Sequence, residues 1–494
     1  MGEYVMKRFF CFAVAALLLF ATVACVRPPE DEKVNGTTTA ALESTTGPEE
    51  TEFRAFDTVE RADYNGYTFR ILYPQADQCY TDFFAPELNG AITNDAIFGR
   101  NLMVQDALGI EIDIKWQSYT QVNTDLQTQV TSGLADYDMY GGHRTSLALS
   151  YGGYLYDFYD MSELNLEGEW WDPAWVKTMS YDGSIYTLVG DISISSLLFV
   201  SSLCFNKQLF EDNNLEYPYE LVHSKKWTYE VLYNTIKDYG NDLNGDGKMT
   251  YNQDRYGIVG WGTEAGYSLF YASGFTFVSK TLDDKFEINV NAERLNSIMD
   301  RVFEIWTTSG SYFNNSGTTA EHPYPFSVFT DNRALFCDSV LSKIGTFLTG
   351  MESDYGILPQ PMFDEFQENY YSYTGYTIPV TMVPANCPDP ERTGRIIEAF
   401  CTASYDEVTP DMYEIVTAVK NARDAESSEM IEIIIRNKFF DPAHWYVIQG
   451  YGTLSRDIIA SGNNNIASRL KTIEKVAQKN LDTITTAFEE LKQK

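Results

Sequence analysis

The stretch from Asp242 to Asp254, DLNGDGKMTYNQD, carries the most explicit chemistry in the chain. Oxygen-bearing side chains stand at alternate positions, Asp242, Asn244 and Asp246. Gly247 supplies a sharp turn, and the carbonyl of Lys248 is placed to be the next ligand of a hard cation such as calcium. The twelfth position, where such loops usually hold a bidentate carboxylate, is the neutral Gln253, and the nearest acid, Asp254, comes one residue late. Affinity is expected to fall accordingly, yet calcium near about 1 mM outside a cell fills even a weak site. Leu232, Ile236 and Tyr239 give the entering side a helical period, whereas the exit, DRYGIVGWG, reads as a strand bounded by glycines. A sensor needs a second helix whose angle can open, so the expectation is a structural calcium staple. A metal-free Asx/Gly turn is the alternative.

Other reactive constellations are scarce. The four histidines, His143, His223, His322 and His444, are far apart, none within H-E-x-x-H. Gly266-Tyr267-Ser268 lacks the second glycine of a nucleophile elbow, and no P-loop or dinucleotide fingerprint is present. Paired carboxylates for sugar hydrolysis stay open, because 70 acidic residues offer many chance pairs. Aromatic surface is abundant at 15% of residues, clustered in EWWDPAW (169–175), VGWG (259–262) and YYSYTGY (370–376). Flat rings stack on the apolar faces of sugars while carboxylates and amides take the hydroxyls. One fully covered ring buries about 150–250 Å², worth roughly 4–6 kcal/mol as an upper bound. Two such platforms, less ordering costs, suffice for micromolar binding.

The elements that must position these groups begin with YTFRILY (67–73), extended and rich in β formers, and a helical stretch near 94–108 with Ile97, Val104 and Leu108 on one face. IEIDIKW (110–116) alternates, Val122, Leu126 and Val130 repeat every four residues, and a short apolar break leads into DYDMYGG. This strand–helix alternation predicts an α/β sheet with right-handed crossovers, and ligands at the strand ends after Tyr73 and Tyr140. The second half is more helical. Pro390 and Pro410 open two helices, and Ile466, Leu470, Ile473, Ala477, Leu481, Ile484, Phe488 and Leu491 mark a long last one, either docked on its own lobe or a coiled-coil partner.

At the N-terminus, Lys7 and Arg8 precede the apolar run FFCFAVAALLLFATVA, which ends at Cys25. The pattern predicts an export signal over residues 1–24, removed rather than kept as a span. T-V-A-C resembles a lipobox with Cys25 as the lipidated first residue, ordinary cleavage without lipid being the alternative. Residues 25–57, rich in Thr, Glu, Pro and Gly, should be a disordered tether. The formal charge is −34, and removing Glu3, Lys7 and Arg8 (net +1) makes the mature chain −35, which opposes phosphate-backbone and anionic-lipid binding. Cys79, Cys204, Cys337, Cys387 and Cys401 have no C-x-x-C pair, so no zinc site or disulfide framework is legible.

In order along the chain, Cys25, FNKQLFEDN (205–213), WTYEVL (227–232), the calcium-like loop with RYGIVGW, FTDNRALFCDS (329–339) and ARDAESSEMIEIIIRNKFFD (422–441) resemble the substrate-binding lipoproteins of bacterial ABC importers, the extracellular solute-binding group with many sugar and oligosaccharide binders. The resemblance covers the chain from about residue 66 onward. It implies an α/β fold, periplasmic-binding-protein-like of type II, with two lobes joined by a hinge and a helical C-terminus. Lobe 1 is expected at 58–193 plus 330–385 and lobe 2 at 197–327 plus 390–494, with crossings near 191–196, 327–331 and 384–390. The expected function is non-enzymatic capture of a carbohydrate in the interlobe cleft and delivery to ABC permease subunits by a monomer held by lipid at the outer face of the cytoplasmic membrane. A secreted carbohydrate-active hydrolase or a surface polysaccharide-adhesion protein is the alternative. Tyr73, His143, Arg144, Trp170, Trp171, Trp261, Tyr267 and Tyr376 are the expected cleft residues, with Asp191 near the hinge as a hydroxyl acceptor.

Overall fold

The computed structural model describes residues 53–493 apart from 77, 78, 80, 81, 315–324, 349 and 418–424. The export signal, Cys25 and the tether as far as residue 52 lie outside the described residues. The last residues assigned to the tether are folded instead. Ala55–Thr58 form a 3-10 turn in which Ala55 and Phe56 are buried and donate their N–H groups to Asp406 at 3.0 and 2.9 Å. Burial of a Phe side chain stabilises by about 1.5–3 kcal/mol, which fixes this end of the segment.

The first sheet is built as the alternation predicts. Strands β1 (Tyr67–Pro74) and β2 (Ile110–Gln117) run parallel in register, Tyr67 opposite Ile110 through Pro74 opposite Gln117. The helix Ile92–Leu108 joins them, buries Ile97, Val104 and Leu108, and stops at Gly109 in the left-handed region (φ +59°), where a Cβ would strike Asp63 at 2.2 Å. Strand β3 (Met139–Gly142) pairs parallel with β1 after the helix Tyr119–Ser132, which Ser118 caps through the N–H of Gln121. Gln129, not Val130, takes that helix's third buried place. Its amide oxygen accepts from the N–H groups of Asp136 and Tyr137 and from the Tyr140 hydroxyl, fixing the loop into β3.

The second sheet contains β4 (Ser201–Asn206), β5 (Tyr256–Trp261), β6 (Ser311–Asn314), β7 (Ala334–Val340) and β8 (Tyr355–Leu358), in the order β8-β4-β7-β5-β6. A last strand, β9 (Val380–Met382), returns to the first sheet and pairs antiparallel with β3, giving β9-β3-β1-β2.

Two expected lobe boundaries are therefore corrected. Residues 334–358 supply β7 and β8 of the second sheet rather than lobe 1, because β7 is buried along almost its whole length between β4 and β5. The helix Pro390–Glu407 packs on Ile92–Leu108 and on the 55–58 turn of lobe 1, not lobe 2, and its Glu398 accepts the indole N–H groups of Trp170 and Trp171. The chain re-enters the second lobe later, where the helix Ala425–Arg436 covers β8. The terminal helix Ile466–Leu491 is docked on its own body, against Ala148–Tyr151 and Ala292–Thr307. By contacts alone the chain from Arg54 onward is one compact unit, so the lobes are distinguished by their separate sheets.

Candidate functional site

Strand ends from both sheets meet one connecting segment. At the end of β3, Gly141 lets the chain pass the Tyr73 ring, since a Cβ there would lie 2.4 Å from it. His143 then caps the following turn: its N–H donates to Ser146 Oγ at 2.8 Å, and Nδ1 accepts from the N–H of Thr145 at 3.3 Å. At the end of β5, the helix Gly262–Tyr271 starts at once and carries Glu264, Tyr267 and Tyr271 at steps of three and four, one face of the helix. Between the sheets, Ser372–Tyr373 pairs with Lys438–Phe439, which sets Tyr373 and Tyr376 beside His444.

The side chains form a continuous cluster. The His143 ring lies 4.4 Å from Tyr119 and 6.1 Å from Tyr376. The guanidinium carbon of Arg144 sits 4.2 Å over the Tyr376 ring, and its Nη1 is 3.4 Å from His444 Nε2. Tyr267 stacks on Tyr373 at 5.3 Å and meets His444 at 4.9 Å and Tyr376 at 6.4 Å. His444 Nδ1 donates to the carbonyl of Gly452 at 2.9 Å, leaving Nε2 to accept from the Tyr373 hydroxyl at 3.3 Å.

Burial and the neighbouring Arg144 hold both imidazoles neutral, His143 down at about 4 and His444 at about 3. Burial pushes the Glu264 carboxyl up to about 7, against the pull of Arg144 and Arg456. Two polar atoms of the cluster are sealed from solvent and have no hydrogen-bond partner among the described residues: the Tyr267 hydroxyl and Arg144 Nε.

No family model matches the chain, and no curated protein matches it. Solved structures do. The sugar-binding protein MalE from Xanthomonas citri aligns with a TM-score of 0.57 at 12% identity over 86% of this chain and 100% of its own. A cyclo/maltodextrin-binding protein complexed with maltotetraose aligns at 0.56 and 13%, over 85% and 99%. An ABC substrate-binding protein from Listeria monocytogenes in complex with cycloalternan aligns at 0.51 and 13%, over 86% and 99%. The chain has a type II periplasmic-binding-protein fold. These structural neighbours are binding proteins rather than enzymes, and among the described residues no helix is long and apolar enough to cross a membrane.

In a binding-protein fold the cleft lies where the strand ends of the two sheets face each other. Of the expected cleft residues, His143, Arg144, Tyr267 and Tyr376 are brought together in this cluster, and Trp261 is the last residue of β5. Four others stand elsewhere. Tyr73 is buried and donates its hydroxyl to Asp82 at 3.0 Å. Trp170 and Trp171 are buried on Glu398, 2.9 Å from each indole nitrogen. Asp191 is buried, and the hydroxyl it accepts, at 2.8 Å, is that of Thr409. Tyr119, Glu264, His444 and Arg456 join the site unpredicted, and Tyr373 joins it from the aromatic cluster 370–376 that the sequence marked without singling it out.

The Asp242–Asp254 loop fits a cation in part. Asp242 accepts from the N–H groups of Gly245 and Gly247, both at 2.7 Å, Asn244 from that of Asp246 at 2.9 Å, and Asp246 from that of Lys248 at 2.8 Å. These bonds turn the three side chains into the loop, and each oxygen keeps a lone pair. Asp254 does not fit as a ligand: it is fully buried and accepts from Leu243 N–H, Thr250 N–H and Thr250 Oγ1, closing the loop. Among the described residues no cluster of three or more His, Cys, Asp or Glu could hold a metal, so Asn and carbonyl oxygens would have to complete this one.

Proposed function

We propose that this protein is a non-enzymatic receptor that captures a carbohydrate, an oligosaccharide of a few units, between its lobes and delivers it to the permease of an ABC importer. The observation that carries the reading is the cluster at the facing strand ends, in which unpartnered polar atoms lie among aromatic rings: Tyr376 is half-buried under Arg144, while Arg144 Nε and the Tyr267 hydroxyl have no bond partner among the described residues. Sugars combine flat apolar faces with rims of hydroxyls, so they meet both needs together. Neighbours of the same fold bound to maltotetraose and cycloalternan support the ligand class.

The receptor acts as a monomer, tethered by a lipid on Cys25 to the outer face of the cytoplasmic membrane. Calcium held by Asp242, Asn244, Asp246 and the Lys248 carbonyl stiffens the second lobe. Calorimetric titration of the purified protein with an oligosaccharide panel tests the reading, with chromatography of the sugars afterwards. Binding near micromolar with the sugars recovered intact is the expected result. Cleavage of a glycosidic bond would establish a hydrolase instead, and binding to insoluble polysaccharide alone an adhesion module.

A further inference from the structure

We infer that the captured sugar carries a carboxylate, so that the ligand is an acidic, uronate-containing oligosaccharide whose charged group is received by Arg144. This rests on the carbohydrate-capture reading and names the class of sugar within it.

The first ground is what Arg144 lacks. The chain has 70 acidic residues against 36 Lys and Arg, and several other interior cations have carboxylate partners, Lys438 with Asp172 at 2.6 Å, Arg395 with Glu163 at 2.8 Å and Arg70 with Asp138 at 3.1 Å, while Arg100 is satisfied by the Asp82 carbonyl, Ser404 and Asn101. Arg144 is half-buried, yet no carboxylate lies within ion-pairing distance of it among the described residues. Its one hydrogen-bond contact is Nη1 donating to Nε2 of the neutral His444 ring, at 3.4 Å. Glu264 feels Arg144 electrostatically but does not reach it as an ion pair, and a half-buried charge without a close counterion is unfavourable.

The second ground is geometric. With its face on Tyr376 and Nη1 toward His444, the guanidinium keeps its Nε side, and Nε is sealed from solvent with no acceptor. A guanidinium edge matches a carboxylate as two parallel N–H···O bonds, which a single hydroxyl cannot reproduce. A carboxylate entering as the lobes open and close meets that edge while its sugar ring lies against the aromatic faces.

The third ground is local charge. Arg456, on the helix Leu454–Ser461, pulls electrostatically on Glu264, Tyr267 and Tyr376, although Asp457 bonds it at 3.0–3.1 Å. The opposing acid is Glu264, whose burial favours its neutral form. The overall negative charge disfavours anions at long range, but that repulsion is screened beyond about 8 Å at physiological salt, where close pairs persist.

The test titrates the purified protein with trigalacturonate and with an aldotetraouronic acid, each beside its carboxyl-reduced neutral counterpart, at two salt concentrations. At least one acid should bind tenfold or more tighter than its reduced partner, with an advantage that shrinks at high salt. In Arg144→Gln that ratio should collapse toward one, and in Arg144→Lys only part should survive; melting curves confirm that both variants are folded. Equal or tighter binding of the neutral sugars overturns the inference and leaves the carbohydrate reading standing. Failure of all four to bind, together with failure of the neutral oligosaccharide panel, overturns both.

Discussion

Two buried polar networks lie within this fold, and they end differently. Around Asp82, four donors converge on one carboxylate: Tyr73 Oη at 3.0 Å, Ser193 Oγ at 3.0 Å, Ser195 N–H at 2.8 Å and Ser195 Oγ at 2.9 Å. Arg100 beside it is fully buried between Phe83 and Phe400, and donates to the Asp82 carbonyl at 2.6 Å, to Ser404 Oγ at 3.0 Å and to Asn101 Oδ1. The Arg144 cluster has the same ingredients, a guanidinium, rings and a carboxyl, but leaves Arg144 Nε and the Tyr267 hydroxyl unpartnered. Satisfied valences hold a crossing in place, whereas open ones belong where something else arrives.

The largest expected effect tests the closed side. Asp82→Ala strands four donors and removes the negative charge nearest Arg100, and breaking one side of a buried charged network costs about 3–5 kcal/mol. Denaturant unfolding should show a loss of that size. A change within about 1 kcal/mol would mean that Ser193 and Ser195 hold the first crossing without the carboxylate, and the contrast between the two networks would lose its structural half.

The same contrast marks what was legible in the sequence. Alternation and four-residue periods located β1, β2, β3 and their helices, because local pattern decides which face of an element is buried. The later crossings were misplaced because β7, buried along nearly its whole length, carries no alternation to show its sheet, and only pairing with β4 and β5 settles that. Within the site, His143 and Arg144 were legible as residues following a strand end. Trp170 and Trp171 misled because an indole stands out in sequence whether it stacks on sugar or donates to a buried Glu398. His444 and Arg456 reach the cluster from the chain's last segments, a placement no local pattern encodes.

Next in size is the pH response of the buried carboxyls. Burial raises the folded-state values of Asp82 and Asp441 to about 6, Asp191, Glu264 and Glu398 to about 7 and Asp338 to about 8. The folded chain then holds protons that the unfolded chain has released, so stability is greatest near the ordinary carboxylate range and falls as pH rises from about 4 to about 8. The two depressed histidines act the other way, since the unfolded chain binds protons below about 6.5 that the folded one refuses. Six acids outnumber two imidazoles, so the melting temperature should drop between pH 5 and pH 8. The drop should be shallower in Asp338→Asn, a neutral stand-in that keeps the contact with Gln360, now 2.7 Å from Asp338 Oδ2. A melting temperature that rises over that interval would show that these acids titrate freely.

On the open side, Tyr267→Phe removes a hydroxyl that has no bond partner among the described residues. Relieving a buried unsatisfied group should leave the unliganded protein as stable as before or up to about 1 kcal/mol more so, while the lost bond to ligand weakens binding by about 0.5–1.5 kcal/mol, roughly two- to tenfold. Thermal unfolding and titration on the same samples read the two signs. If the variant loses stability and keeps its affinity, the hydroxyl belongs to the closed class of network after all.

The smallest effect concerns the Asp242–Asp254 loop, which combines both behaviours over thirteen positions. Asp254 is closed, with three donors on its two oxygens, while each side-chain oxygen of Asp242, Asn244 and Asp246 accepts one N–H bond from the loop and keeps capacity for a cation. A calcium dissociation constant of about 0.1–1 mM with about 1 mM free ion stabilises by roughly 0.4–1.4 kcal/mol. Chelation should therefore lower the melting temperature slightly, and Asp246→Asn should abolish that shift. Asp254→Asn should lower the melting temperature with or without chelator, because the bonds it weakens close the loop from inside. An identical melting curve with and without chelator would assign all four side chains to the loop's own N–H groups and leave calcium no part in the second lobe.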